Sequence, residues 1–586
     1  MLLSILAAPL VFGAPSSVQD EAKPWFEDVT AAAGVDFVHV TGARGKYWFP
    51  EIMGGGVAFV DVDGDGYLDI YCIQSGFLPD PTESAEEQAA HGTHTNRLYR
   101  NLGPNAAGDC TFEDISVSAG VDHAGYGMGV ACADYDRDGD IDIYVTNVGS
   151  NVLYQNVTGE ETDENGVVVP GVRFQDVTDP VTTIGMWSTS AAFLQADNDR
   201  DGKLDLFVTN NLGWTYGIEN ECKSYFQTPD YCNPIVFNSP QADALLVQGR
   251  LGFRDMSANI VDHKGNGLGV APCDFDGNGW VDVYVANDAT ANVLWRNRGL
   301  ANKSDFDNTA TDMACGVNRN GTPEAGMGVQ WTDLDGDGDF DIFITHLRRE
   351  KNTYYEQGKK RGTDAILFRD QSMKTGMNEH NLRFTGFGTG IHDFDLDGRL
   401  DIYVVNGAVQ KWEEIEAFSQ ANPYAEPNHL FRGGAPKIGT VPHFELMDNG
   451  GTAEAQIGTS RGAAFGDYDN DGDVDLVYMD LDSGVHLLKN VAERQGNWIG
   501  FTTLDKRGKP AVGAQVGVVV DGKVVWRLAD PAYSYLSSND PRVHFGLGAA
   551  DEITDIVVRW IGGGEEHFEP LPTGEYHSLR ENRGKK

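Results

Sequence analysis

One nine-residue pattern, D-x-[DN]-x-[DN]-G-x-x-D, recurs seven times along the 586-residue chain, and it is the residue set with the clearest chemistry. The copies begin 59 to 77 residues apart and place oxygen side chains at positions 1, 3, 5 and 9. These are Asp61, Asp63, Asp65 and Asp69; Asp134, Asp136, Asp138 and Asp142; Asp197, Asp199, Asp201 and Asp205; and Asp274, Asp276, Asn278 and Asp282. The last three copies supply Asp333, Asp335, Asp337 and Asp341; Asp393, Asp395, Asp397 and Asp401; and Asp467, Asp469, Asp471 and Asp475. Alternate carboxylates converge around a tight turn, and Gly at position 6 permits a backbone conformation that a side chain would obstruct. Hard oxygen donors without His or Cys select Ca2+ over transition metals, so up to seven calcium ions are expected. Two carboxylates about 4 Å apart repel by roughly 1 kcal/mol in water and about 4 kcal/mol at a protein surface, so a loop without its cation should open.

The elements that must hold these loops are strands. Each copy follows a Gly-rich apolar segment such as GGGVAFV, GMGVACA or GMGVQWT, with STSAAFLQA the loosest version, and leads into an alternating run such as LDIYCI or VDVYVAN. Period-two alternation with β-branched and aromatic residues predicts a strand on both sides. An EF-hand loop would instead lead into a helix and carry Glu at position 12, where this chain has Cys72, Val145, Val208, Val285, Ile344, Val404 and Tyr478. A third strand follows, as in NRLYRNLG and NVLWRNRG, and a fourth begins F-x-D, as in FEDIS from Phe112 and FRDMS from Phe253. Four strands per repeat make a propeller blade. The seventh repeat lacks its F-x-D strand, whereas an unattached one, FEDVT from Phe26, precedes the first repeat. The expected fold is therefore all-β: a seven-bladed propeller over 23–493, closed by its N-terminal strand, which removes the free edge.

Composition narrows the function classes. Acidic residues number 88 against 44 basic ones, a net charge of -44, which repels nucleic-acid phosphates and anionic lipid. Glycine supplies 71 residues, well above the roughly 7% average, in keeping with many tight turns. Residues 2–14 are apolar but too short to span a bilayer, so 1–17 reads as a secretory leader, and no later run is long enough for a transmembrane segment. Of seven cysteines, Cys222 and Cys232 lie ten apart in an irregular stretch and suit a disulfide in an exported protein. His91 and His94, in HGTH, read as a solvated loop rather than a metal pair.

The repeat resembles the FG-GAP/VCBS repeats of integrin α-subunit propellers, in which this loop joins the first two strands of a blade and holds calcium. From Asn497 the character changes. NWIGFTTL, Gly513 with the three residues after it, Ser537, HFGLG from His544, Trp560 and Gly562 resemble an ASPIC/UnbV domain over 497–578, with Ile561 replacing the usual Pro. A propeller followed by this small β-rich domain is similar to the arrangement of the cartilage acidic protein family, as is the opening FVHVTGARGKYWFPEIMGGGVAF. That resemblance implies fold and metal but names no activity.

No G-x-S-x-G, H-E-x-x-H or Walker loop occurs. If the calcium loops occupy one face, the opposite face collects His123, His263, Asn147, Asn287, Asp288, His346, Arg348, Asn406 and Trp412, either as a polar ligand surface or as strand-end caps and ordinary loop residues. The insertion at 211–243, with Trp214, Tyr216, Tyr225, Phe226 and Tyr231, is expected to overhang that face. The sequence thus predicts a secreted calcium-binding module for a glycan or extracellular protein, without nucleic-acid partners. The alternative is a secreted polysaccharide lyase or hydrolase using the same face.

Overall fold

The computed structural model describes residues 23–162, 168–197, 202–260, 263–299, 306–411, 422–434, 439–520 and 522–586. The expected leader at 1–17 lies outside them, as do Asp199, Asp201 and Trp412.

Among the described residues, seven four-stranded antiparallel sheets carry the seven repeats. In the first, Val57–Val60, Asp69–Cys72, Arg97–Pro104 and Cys110–Asp114 pair in chain order, and the acidic loop joins strands one and two. The second and third sheets are linked edge to edge where Val148 pairs with Trp187. The F-x-D strand Phe26–Asp28 pairs antiparallel with Val485–Asn490, supplying the fourth strand of the last sheet as the repeat count requires.

Innermost strands are Gly-rich because they crowd one another. A Cβ on Gly269 would sit 2.2 Å from the Met327 carbonyl of the next sheet. One on Gly462 of the last sheet would sit 2.5 Å from the Gly55 carbonyl of the first, so last and first are neighbours. No side chain fits at either distance. The faces between sheets are filled by the alternating residues of the second strands, including Ile70, Tyr144, Phe207, Tyr284, Ile342 and Tyr403, none more than 1% exposed.

The C-terminal region forms a three-stranded sheet of Val543–Gly548, Asn497–Leu504 and Tyr576–Arg580 against a four-stranded one containing Ala514–Val520 and Asp555–Trp560. Ile499, Phe501, Val516, Phe545 and Val558 form their shared core. Between them the chain makes an excursion that the sequence does not announce. Residues 531–540 leave the C-terminal sheets and enter the axis of the ring, where Tyr535 and Leu536 are fully buried.

Six of the seven sheets bind this plug through their innermost strands. Phe59 N–H donates to the Ser538 carbonyl at 3.0 Å, Val130 N–H to the Leu536 carbonyl at 3.2 Å, and Leu536 N–H to Ser190 Oγ at 3.1 Å. Val329 and Ser534 exchange backbone bonds at 3.1 and 2.9 Å, Thr389 N–H donates to Ser534 Oγ at 3.0 Å, and Phe465 N–H to Asn539 Oδ1 at 3.0 Å. Ser534 and Leu536 hold left-handed backbone (φ 78° and 54°), a conformation costing on the order of 1 kcal/mol or more that only surrounding contacts sustain.

The other end of the axis is sealed by 41–53 and the 211–243 insertion. Trp48 meets Trp214 at 6.3 Å between ring centroids, and Phe49 lies 5.5 Å from Trp187 and 5.6 Å from Phe237. Tyr535 Oη donates to the Met53 carbonyl at 2.8 Å, joining plug to cap. Arg461, fully buried, donates to the carbonyls of Ile52, Gly407 and Ala408 and lies 3.9 Å over the Phe387 ring.

Candidate metal centres

The aspartate at position 9 opens the second strand of every blade, and its backbone bonds fix the loop to the sheet. Asp69 accepts from Asn101 N–H on the third strand at 2.7 Å and from Val62 N–H at position 2 at 2.9 Å. The same two-sided grip recurs at Asp142, Asp282, Asp341, Asp401 and Asp475, and Asp205 accepts from Gln248 N–H on the third strand and from the Ala196 and Asp197 amides. Position 1 is held by loop amides: Asp61 accepts from Gly64 and Gly66, Asp274 from Gly279, Asp393 from Gly398 and Asp467 from Gly472. Position 5 bends toward its own loop, with Asp65 accepting from Tyr67 N–H and Asn278 from Trp280 N–H.

Carboxylate oxygens of positions 1, 3 and 9 come within 4.8 Å of one another in Asp61/Asp63/Asp69, Asp134/Asp136/Asp142, Asp274/Asp276/Asp282 and Asp393/Asp395/Asp401. In the fifth loop the convergent set is Asp333, Asp335 and Asp337. Asp197 and Asp205 are the described part of the third loop.

These side chains fit a hard cation. Both carboxylate oxygens of Asp134, Oδ2 of Asp333 and Asp335, and Oδ1 of Asp395 are buried without a hydrogen-bond partner. Burial pushes the carboxyls of Asp61, Asp134, Asp274 and Asp333 up to about 6, Asp335 to about 7 and Asp142 and Asp393 to about 8, with neighbouring carboxylates adding to the rise. Asp69, Asp282, Asp341, Asp401 and Asp475 are raised well above the usual carboxylate range, again chiefly by burial. Anionic oxygens crowded in a low-dielectric site are offset by a divalent ion.

The C-terminal sheets lie over this face. Gln515 Nε2 donates to the Asp274 carbonyl at 2.7 Å, Gly562 N–H to Gly279 at 2.9 Å and Gly548 N–H to Leu396 at 3.2 Å. Arg542 reaches the Asp467 carbonyl at 2.7 Å, and Tyr576 Oη donates to Asp467 Oδ2 at 3.0 Å.

On the opposite face, His123 and Asn147 flank Gly125, whereas His263 lies in the connection before Gly267–Cys273, the first strand of the fourth sheet. Asn287 and Asn406 end their strands, Asn147 lies within Asp142–Ser150, and all three are buried and donate to the carbonyls of Ala291, Pro427 and Val145. His346 is buried beside the Ile344 carbonyl, and burial lowers it to about 3. Asp288 is buried and raised to about 7, and Arg348 lies 3.8 Å from Glu426. Within the insertion, Trp214 and Tyr231 are buried, Tyr216 packs against Trp48, and Tyr225 and Phe226 are exposed. Cys222 and Cys232 are disulfide-bonded, while Cys72, Cys110, Cys132, Cys273 and Cys315 are free and buried. His91 pairs with Glu83 at 3.0 Å and His94 with the His91 carbonyl at 3.2 Å, so the two rings do not share a ligand position.

Sequence reasoning missed a polar cleft on this face lined by Tyr47, Glu51, Tyr231, Tyr424, Asp480 and Asp482. Glu51 is buried there and raised to about 8 by that burial. Its signal was the string WFPEIMGGG, where an acid stands among apolar residues and glycines.

Comparison with known proteins agrees with this architecture. Residues 274–344 match the FG-GAP-like repeat family and 504–586 match the ASPIC and UnbV family. The chain is homologous to cartilage acidic protein 1: it is 26% identical to the Homo sapiens protein over 544 residues, covering 91% of this chain and 72% of that one. The Mus musculus protein is 26% identical over 528 residues, covering 88% and 71%. Among solved structures, the BP39L lectin from Burkholderia pseudomallei aligns with a TM-score of 0.40 at 9% identity, over 75% of this chain and 97% of the lectin.

Proposed function

We propose that this homologue of cartilage acidic protein 1 is an extracellular, calcium-stabilised β-propeller that serves as a binding or adhesion module for a glycan or protein partner. The observation that carries the reading is the repetition of one acidic loop in every blade, with buried carboxylate oxygens left for a cation to bind. Positions 1, 3, 5 and 9 of all seven loops are its ligand set, and Ca2+ its ion. The division into a leader at 1–17, a propeller at 23–493 and an ASPIC/UnbV domain at 497–578 belongs to the same reading. The Cys222–Cys232 disulfide favours an oxidising, extracellular setting.

The partner surface is assigned to the face away from the metal loops. The axis is occupied by the chain's own residues 531–540, and the C-terminal sheets lie over the loops. His123, Asn147, His263, Asn287, Asp288, His346, Arg348 and Asn406 are its candidate contacts, together with Trp412, which lies outside the described residues.

The test is retention of the purified full chain on glycan arrays and on immobilised extracellular proteins, with calcium and with chelator. Calcium-dependent retention without new reducing or unsaturated ends is the expected result. Retention indifferent to chelation refutes the calcium role. New polysaccharide ends that vanish in a His123→Ala/His263→Ala double variant would replace binding with a lyase or hydrolase activity.

A further inference from the structure

The seven loops are alike in sequence, but one third-strand position beside them is not. The residue just before the one whose N–H grips the position-9 aspartate is Arg100, Gln155, Val247, Arg296, Glu356, Arg432 or Lys489 in sheets one to seven. Strand register makes these positions equivalent: the preceding residue pairs with Ile70, Ile143, Leu206, Val283, Ile342, Ile402 or Leu476, each one past its position-9 aspartate.

In four sheets this residue is basic and binds the position-3 carboxylate. Arg100 meets Asp63 at 2.6 Å, Arg296 donates through Nε to Asp276 at 2.6 Å, Arg432 meets Asp395 at 2.5 Å, and Lys489 pairs with Asp469. In the second sheet the neutral Gln155 donates to Asp136 at 2.6 Å. The third-sheet residue is apolar Val247, and its loop lies partly outside the described residues.

The fifth sheet reverses the sign. Glu356 occupies the basic position and accepts from Gln371 Nε2. Its loop's position-3 residue, Asp335, is 1% exposed and its Oδ2 has no partner, whereas Asp63, Asp276 and Asp469 each have a cation on that oxygen. In the fifth loop the convergent carboxylates come from positions 1, 3 and 5. A partnerless, buried oxygen and an acid at the third-strand position thus belong to one sheet, and among the described residues no basic side chain takes the place that Arg100, Arg296, Arg432 or Lys489 fills elsewhere.

Resting on the calcium reading of the loops, we propose that the fifth loop is the tightest hard-cation site of the chain and that Glu356 supplies its additional carboxylate. In the first, fourth, sixth and seventh loops the basic residue is a resident counter-charge that holds affinity down. Ligand charge count and site rigidity are what spread calcium affinities over orders of magnitude in oxygen sites. The arrangement yields graded occupancy: as calcium falls, the arginine- and lysine-bearing loops empty first, and the fifth keeps its ion.

The test is calorimetric titration of the full chain, stripped of metal, with Ca2+. The expected wild-type isotherm has one tight site and a weaker class. Near-isosteric Glu356→Gln keeps an acceptor for Gln371 and is expected to weaken the tight site about tenfold to a hundredfold, leaving the weaker class unchanged. The reciprocal variant, Gln155→Glu, adds the missing carboxylate beside Asp136 and is expected to create a second tight site. A tight site untouched by Glu356→Gln, or a single class of equal sites, overturns the proposal while leaving calcium binding intact. No heat and no bound calcium would overturn both this proposal and the calcium reading beneath it.

Discussion

Tyr535 is the centre of the axial plug, so truncating it measures what the C-terminal excursion contributes to the ring. Its side chain is fully buried, its ring meets Phe387 edge-on at 4.9 Å, and its hydroxyl donates to the Met53 carbonyl at 2.8 Å. Truncating a buried aromatic to Ala costs about 3–5 kcal/mol, and stranding the buried carbonyl adds about 1–3 kcal/mol. Tyr535→Ala is therefore expected to destabilise the chain by roughly 4–8 kcal/mol. Tyr535→Phe, which removes only the hydroxyl, should cost about 1–3 kcal/mol. Each kcal/mol moves the melting temperature of a chain this long by only about 0.8 °C, because unfolding entropy grows with size. Differential scanning calorimetry at saturating calcium should then show Tyr535→Ala about 3–7 °C below wild type, with Tyr535→Phe between them. Ring and C-terminal sheets should fall together, because the plug bonds to six innermost strands. A Tyr535→Ala melt within a degree of wild type would refute the reasoning, as would a separate early transition of the C-terminal sheets with the ring unmoved.

Three further outcomes follow from the same contacts. Calcium should raise the melting temperature and chelation lower it steeply, since each site contributes about 2.7 kcal/mol at a hundredfold excess over its Kd; an unchanged melt at zero metal content refutes the ligand assignment. His486 sits between Asp28 at 2.9 Å and Asp480 at 3.5 Å, tying the N-terminal strand to the last sheet; burial opposes its charge, but the two carboxylates prevail and raise it from 6.5 to about 9. Because the folded value is the higher one, this contribution, on the order of 3 kcal/mol, is complete below about pH 6.5 and disappears as pH rises through about 9; a stability profile in which His486→Gln keeps the same loss would refute it. Reducing Cys222–Cys232 should free the insertion locally and speed chymotryptic cleavage at exposed Tyr225 and Phe226, with the seven sheets retained by circular dichroism; loss of the sheets would refute a local role.

Much of the architecture was legible because it is repeated and local. An aspartate at position 9 is both the last loop residue and the first strand residue, so one nine-residue string fixes loop, strand start and register together. The unattached FEDVT strand was legible for a related reason: a repeat lacking its fourth strand and a stray fourth strand at the other end of the chain imply each other, and Phe26 pairs with Asn490 accordingly. The opposite face was less legible. Asn147, Asn287 and Asn406 look like ligand amides in sequence, yet each is a buried strand residue whose side chain donates to a nearby backbone carbonyl. Sequence supplies the donor type but not which acceptor lies within hydrogen-bond reach. Glu51 shows the converse, since its charge state depends on burial beneath Tyr231 and the cap, which no local pattern encodes.

The plug was illegible for a deeper reason, and it explains an irregularity in the repeat. PAYSYLSSND has no strand alternation and no helical period, because its partners lie on six strands that are 74 or more residues upstream. An axial filler must break the near-sevenfold equivalence of the blades, since one chain segment cannot present the same contact in seven directions. The inner strands should therefore deviate where they meet it. STSAAFLQA, the loosest of the Gly-rich segments, does so in a defined way: Ser190 Oγ accepts from Leu536 N–H at 3.1 Å. Ser188 and Ser190 stand where the neighbouring sheets carry Gly127 and Gly129 or Gly267 and Gly269, and the Thr189 hydroxyl between them donates to the Gly267 carbonyl at 2.7 Å, adding a side-chain bond to the next sheet. What reads in sequence as decay of the repeat is, in space, a sheet adapted to the segment that fills the ring.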